Sequence, residues 1–205
     1  LHLIADGMGG YEHGEIAAKM VAENVMTFLS TVENINEAQI QKAINKANLA
    51  IRQLREKKKT KAGATVGGII LQAKQATCFW VGDVKIFHYK NNKLIKESTS
   101  HTLMNEVIRN GSIKDVKQIN KYKHVVTRSV QGDLEHSQID MFSQENLDSS
   151  DIFYICSDGV HDLYDGIHLQ QILNSSDSNE EAFNRIENRL LKEAKDNFSL
   201  IILQI

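Results

Sequence analysis

Ala64-Thr65-Val66-Gly67-Gly68-Ile69-Ile70-Leu71, continued by Ala76-Thr77-Cys78-Phe79-Trp80-Val81-Gly82 and Lys85-Ile86-Phe87-His88-Tyr89, is the part of the chain that decides the fold. β-branched and aromatic residues crowd these short segments and polar breaks separate them, which predicts a meander of antiparallel strands. Asn91-Asn92 predicts a hairpin turn into a strand at Lys93–Glu97, because Asn tolerates left-handed backbone. Upstream the period is helical. Ile40, Ala43, Ile44, Ala47, Ile51 and Leu54 fall three and four apart, and Ile16, Ala17, Met20, Val21, Val25, Phe28 and Leu29 share the face of an earlier helix. Downstream come a short helix over 102–110 stopped by Gly111, a buried strand over 151–156, a long helix marked by Ala182, Phe183, Ile186, Leu190 and Ala194, and a closing strand over 198–205. This order predicts an α+β fold, a four-layer α-β-β-α sandwich of two mainly antiparallel sheets flanked by helices. Periodicity alone leaves the second sheet open.

The chain's 205 residues give ample material for one packed core. Lys and Arg number 24 against 26 Asp and Glu, which excludes the electrostatic footprint of a nucleic-acid or anionic-membrane binder. No apolar run approaches the roughly 18–20 residues that span a bilayer. With only two cysteines, Cys78 and Cys156, a disulfide framework is excluded; a reduced, cytoplasmic protein with both thiols buried and inert is expected. The basic run Arg55-Glu56-Lys57-Lys58-Lys59-Thr60-Lys61 has no interleaved aromatics and is expected to be a solvated loop. Leu1 opens the chain inside a predicted strand, so its natural beginning, with any targeting signal, is expected to precede Leu1. Proline is absent, leaving turns to Gly, Asn, Asp and Ser.

Four carboxylates share one context. Asp6 follows Leu3-Ile4-Ala5, Asp83 follows Phe79-Trp80-Val81-Gly82, Asp158 follows Tyr154-Ile155-Cys156-Ser157, and Asp196 precedes Asn197 and the last strand. Any one alone is an ordinary turn residue. Together, as hard oxygen donors at strand ends, they suit Mg²⁺ or Mn²⁺, and Gly7 permits a backbone carbonyl to join them.

Asp6-Gly7-Met8-Gly9-Gly10, Gly82-Asp83, Ser157-Asp158-Gly159-Val160-His161-Asp162 and Asp196-Asn197-Phe198-Ser199 resemble, in order, the motifs of the metal-dependent serine/threonine protein phosphatases, the PPM or type 2C family. Gly63-Ala64-Thr65, Ser100-His101-Thr102-Leu103-Met104-Asn105-Glu106 and Thr127-Arg128-Ser129-Val130 are similar to three further elements. Met8 points to the bacterial, stand-alone branch. The resemblance spans residues 1–205 and implies a single phosphatase domain lacking its N-terminal strand, with a flap-like segment at about 111–138.

It also implies a binuclear Mn²⁺/Mg²⁺ centre and hydrolysis of phosphoserine and phosphothreonine in proteins by a metal-activated hydroxide. Asp6 would bridge two ions, the Gly7 carbonyl would bind one, and Asp158 and Asp196 would complete the other. Asp83, with Asp158, would hold a third, weaker ion. The implied partners are phosphoproteins of a cognate Ser/Thr kinase. Departures are specific: Val84-Lys85 replaces the family's Ser-Arg, Ser100 replaces an Asp, and the family's phosphate-gripping Arg would lie before Leu1. Met8 stands where animal members have a His proposed as general acid; His13 is the candidate for that role here, while His101 and His161 are expected to make only local hydrogen bonds. The alternative to an enzyme is a catalytically impaired, phosphatase-like sensing or partner-binding module.

Overall fold

The computed structural model describes residues 1–8, 13–111, 120–135 and 137–205. Two four-stranded antiparallel sheets form its middle layers. The first has the order β1 (His2–Gly7), β2 (Ala64–Gln72), β3 (Gln75–Val81), β6 (Asp140–Glu145); the second runs β5 (Lys93–Glu97), β4 (Lys85–Lys90), β7 (Asp151–Cys156), β8 (Leu200–Gln204). Helices α1 (Gly14–Leu29) and α2 (Glu37–Lys58) cover the first sheet, packing Val21, Ile44 and Ile51 onto Val66 and Phe79. Helices α5 (Gly166–Asn174) and α6 (Asn179–Glu193) cover the second, with Leu169 and Ile186 against Phe87 and Tyr154. Between the sheets lie Ile4, Ile69, Cys78, Trp80, Ile86, Phe153 and Ile155. The expected four-layer sandwich is therefore present, and both cysteines are buried.

Buried layers on both sides explain the continuous apolar runs. β7 is buried at every position, so it shows none of the alternation of a one-sided antiparallel strand. The stretch over 64–97 is not one meander. β2 and β3 form a hairpin in the first sheet, β4 and β5 a hairpin in the second, and the chain crosses between sheets at Gly82-Asp83-Val84. Gly82 adopts φ +101°, and a Cβ there would lie 2.3 Å from Thr65 Cγ2, so only glycine makes this joint. Asn91 and Asn92, at φ 49° and 56°, make the expected turn.

Three other expectations change. Arg55 to Lys58 complete α2 rather than a loop; their cations complement the helix C-terminus, and Lys59 closes it at φ 54°. Ile16 is 40% exposed, because α1 turns Ala17, Val21, Val25 and Leu29 inward. Strand β6 and helix α5 were not legible in the sequence. β6 is an edge strand with only Phe142 buried, and α5 is a short helix with just Gly166, Leu169 and Leu173 buried. A short helix α3 (Leu103–Arg109) is capped by Thr102, whose hydroxyl accepts from Asn105 N, and Gly111 follows it at φ +66°. Of the segment at 111–138, residues 112–119 and 136 lie outside the described residues, as do Gly9 and Gly10 of the first motif.

Candidate metal centre

The four carboxylates meet at one end of the sandwich because their strands end there together. Asp6 lies near the end of β1, opposite Thr65 at the start of β2. Asp83 is in the joint between β3 and β4, and Asp158 begins the short helix α4 (Asp158–His161) directly after β7. Asp196 precedes β8, whose Leu200 pairs with Cys156 of β7. Two hydrogen bonds lock the last two approaches: Ser157 N donates to Ser199 O at 3.1 Å, and Ser199 N to Ser157 Oγ at 3.0 Å. Gly159 is required here, since a Cβ would stand 2.3 Å from Asn197 O. Asn197 N donates in turn to Asp196 Oδ1 at 2.8 Å.

Asp6, Gly7, Asp83, Asp158 and Asp196 line one cleft of about 340 Å³, together with Met8, Thr65, His124, Val126 and Asn197. All five expected metal-site residues are thus brought together. No Lys or Arg lines the cleft among the described residues. Burial raises the Asp6 carboxyl to about 7, reinforced by the charges of Asp158, Asp83 and Asp196 and by a hydrogen bond with Asp158. Asp83 rises to about 6 through burial and the Asp158 charge, partly offset by its own backbone N–H, Thr65 and His124. Among the described residues Thr65 Oγ1 is buried without a well-formed hydrogen bond, although it lies near enough to Asp83 to ease its charge.

This donor set fits hard divalent cations. Carboxylate oxygens crowded together without a Lys or Arg are stabilised by an ion that takes oxygen ligands. Among the described residues no three acidic, His or Cys side chains form a ready-made cage around one point. Mg²⁺-type sites need none, since such ions commonly use one or two carboxylates and fill the remaining positions with water and substrate phosphate.

The histidines divide. His13 stands before α1, where its carbonyl accepts from Ala17 N at 2.9 Å, and it does not line the cleft. His101 and His161 are held by hydrogen bonds around Asp83, and burial lowers the basicity of both rings. His124 does line the cleft, with Nδ1 3.7 Å from Asp162 Oδ2. Sequence reasoning gave it no role, because the short run His124-Val125-Val126-Thr127 stands alone in a polar, weakly patterned region. Its place depends on long-range pairing: Leu103 N donates to Val125 O at 2.8 Å and Thr102 bridges Val126, which brings 124–126 across the cleft. Arg128 points elsewhere, donating to Asp140 Oδ1 at 2.8 Å.

A family model described as Protein phosphatase 2C matches residues 1–198. A serine/threonine phosphatase, stp, of Listeria monocytogenes is 29% identical over 184 residues, covering 84% of this chain and 71% of its own. Among solved structures, the Mycobacterium tuberculosis serine/threonine phosphatase PstP/Ppp superposes with a TM-score of 0.81 at 20% identity, covering 100% of this chain and 88% of that one. The catalytic domain of the serine threonine protein phosphatase PstP in complex with 2 manganese ions gives 0.78 at 22% identity, covering 98% and 86%.

Proposed function

The chain belongs to the protein phosphatase 2C family, and from that premise we propose that its carboxylate cleft is a divalent-metal centre for hydrolysing phosphoserine and phosphothreonine in proteins. The enzyme class follows from the family and from relatives that are serine/threonine phosphatases. The observation carrying the assignment of the site is the convergence of Asp6, Asp83, Asp158 and Asp196 on one cleft that no Lys or Arg lines among the described residues. A similarly folded phosphatase with two manganese ions supports the choice of Mn²⁺.

In this reading Asp6, Gly7 O, Asp158 and Asp196 would hold two ions, and Asp83 with Asp158 would hold a third more weakly. When bound, such ions lower the pKa of coordinated water and offset charge on the phosphoryl oxygens. The protein contributes rigid strand ends that hold the carboxylates in place, and the Ser157–Ser199 lock that keeps Asp158 beside Asp196. Met8 has no proton to give and His13 lies off the cleft. His124 is the one imidazole on the cleft wall among the described residues, and we assign it to pass a proton to the departing serine or threonine oxygen. Residues 1–205 act as one phosphatase unit on phosphoproteins made by a Ser/Thr kinase.

The test is hydrolysis of para-nitrophenyl phosphate and of a phosphothreonine peptide, titrated with Mn²⁺ and then treated with EDTA. Turnover that follows Mn²⁺ and stops on chelation is expected, with Asp158→Asn folded and nearly inactive. A folded Asp158→Asn protein at the wild-type rate refutes the site, and a folded wild type inactive at every Mn²⁺ concentration supports a binding module instead.

A further inference from the structure

Two buried or half-buried histidines, neither lining the cleft, grip the joint that carries Asp83. His161 Nε2 lies 2.9 Å from Asp83 O, and a carbonyl only accepts, so that nitrogen carries the proton. His161 is also the last residue of α4, the helix that begins with Asp158. One hydrogen bond therefore ties the backbone at Asp83 to the helix bearing its neighbouring carboxylate. From the other side, Gly82 N donates to His101 Nδ1 at 3.0 Å, while His101 N donates to Gly82 O at 2.8 Å. Ring and backbone of one residue thus grip Gly82, the residue preceding Asp83, by both its N–H and its C=O.

The His101 ring is itself fixed. With Nδ1 accepting, Nε2 bears the proton and faces Asp140 Oδ2 at 3.3 Å, and Arg128 steadies that carboxylate at 2.8 Å. The indole of Trp80 stacks on the ring with centroids 6.2 Å apart. Ser100 Oγ adds a longer contact, 3.4 Å, to Asp83 O. The joint needs such restraint because Gly82, with φ +101°, has no side chain to anchor it.

We propose that His101 and His161 are positioning residues that hold Asp83 in register with Asp158, setting how tightly that side of the cleft binds a divalent cation. The inference rests on the metal-centre reading and adds to it two residues that touch neither ion nor substrate. Groups that orient metal ligands typically change affinity by about 10- to 100-fold when removed.

The experiment is calorimetric titration of Mn²⁺ into metal-free wild type, His161→Leu, His161→Gln, His101→Leu and His101→Asn, with circular dichroism as the check on folding. Both Leu variants are expected to lose about tenfold or more in their weakest class of bound Mn²⁺. His161→Gln keeps a donor near the Nε2 position and His101→Asn an acceptor near Nδ1, so both should stay within about threefold of wild type. Should His161→Leu fail to fold, His161→Asn, one methylene too short to reach Asp83 O, replaces it and must bind more weakly than His161→Gln; should His101→Leu fail, His101→Ala replaces it and must bind more weakly than His101→Asn. Equal isotherms for the reaching and non-reaching variants overturn the proposal. So does lost turnover at saturating Mn²⁺ with unchanged binding, which would make the histidine a proton donor. A wild type that binds no Mn²⁺ overturns the metal-centre reading as well; a wild type that binds and hydrolyses while every variant binds alike overturns only this inference.

Discussion

Replacing Asp151 by Ala tests how much a buried charge network joining β4, β7 and the loop before β7, at the end of the second sheet remote from the cleft, contributes to stability. Asp151 is fully buried at the start of β7, and its carboxylate accepts from three donors: His88 Nε2 at 2.7 Å, Lys90 Nζ at 2.8 Å and Asp148 N at 2.9 Å. Removing it leaves the His88 ring, stacked on Phe153 with centroids 4.4 Å apart, with no hydrogen bond among the described residues, since Nδ1 has no partner there. An orphaned buried N–H costs about 1–3 kcal/mol. The lost bond to Asp148 N adds roughly 1 kcal/mol. Lys90 adds little, because it is partly exposed and keeps Asp148 at 3.0 Å. The total, about 2–4 kcal/mol, overlaps the roughly 3–5 kcal/mol expected when one partner of a buried pair is removed. For a domain of this size it corresponds to a fall in Tm of about 10 °C. Urea unfolding followed by circular dichroism and by the single tryptophan, Trp80, measures it. Lys90 and Asp151 pair at one end of β4 and β7, Lys85 and Cys156 at the cleft end, so turnover per folded molecule should stay within about twofold. A stability loss below about 1 kcal/mol would refute the reasoning.

Asp6→Asn should abolish most turnover while raising the Tm of the metal-free protein by a few degrees, because it removes one of four crowded negative charges; a lower metal-free Tm, read by differential scanning calorimetry, contradicts the crowding. Gly82→Ala forces a left-handed alanine against Thr65 and should cost about 2–3 kcal/mol in chemical denaturation, together with weaker Mn²⁺ binding from the displaced joint. Burial holds His88 below its ordinary basicity, against the opposing pull of Asp151, so the unfolded chain takes up its proton first. The stability from neutral His88 is complete above about pH 6.5 and lost as the pH falls through its folded pKa. Stability measured from pH 7 to pH 5 should therefore fall less steeply in His88→Leu than in wild type; parallel slopes would remove His88 from the account.

Much of this molecule is local in origin. The helices α1, α2 and α6 announce themselves by their apolar faces, and the Asn91-Asn92 turn by the one conformation that suits it. The four aspartates were legible because each stands where an apolar strand stops, and that position survives folding. Sequence alone also established the charge balance, the two isolated thiols and the order of the motifs.

The partition of strands between sheets was decided only in three dimensions. Strands buried on both faces lose the alternation that would report their neighbours, so 64–97 reads as one meander until the joint at Gly82 sends it into two sheets. Strand β6 needs its edge pairing with β3 to exist at all. The site divides in the same way. Its carboxylates came from strand ends, but His124 enters the cleft through pairing of its segment with the residues before α3, and His101 and His161 reach the Asp83 joint from 19 and 78 residues away. Which donors meet a given carbonyl depends on how layers stack, a property that no local run of residues encodes.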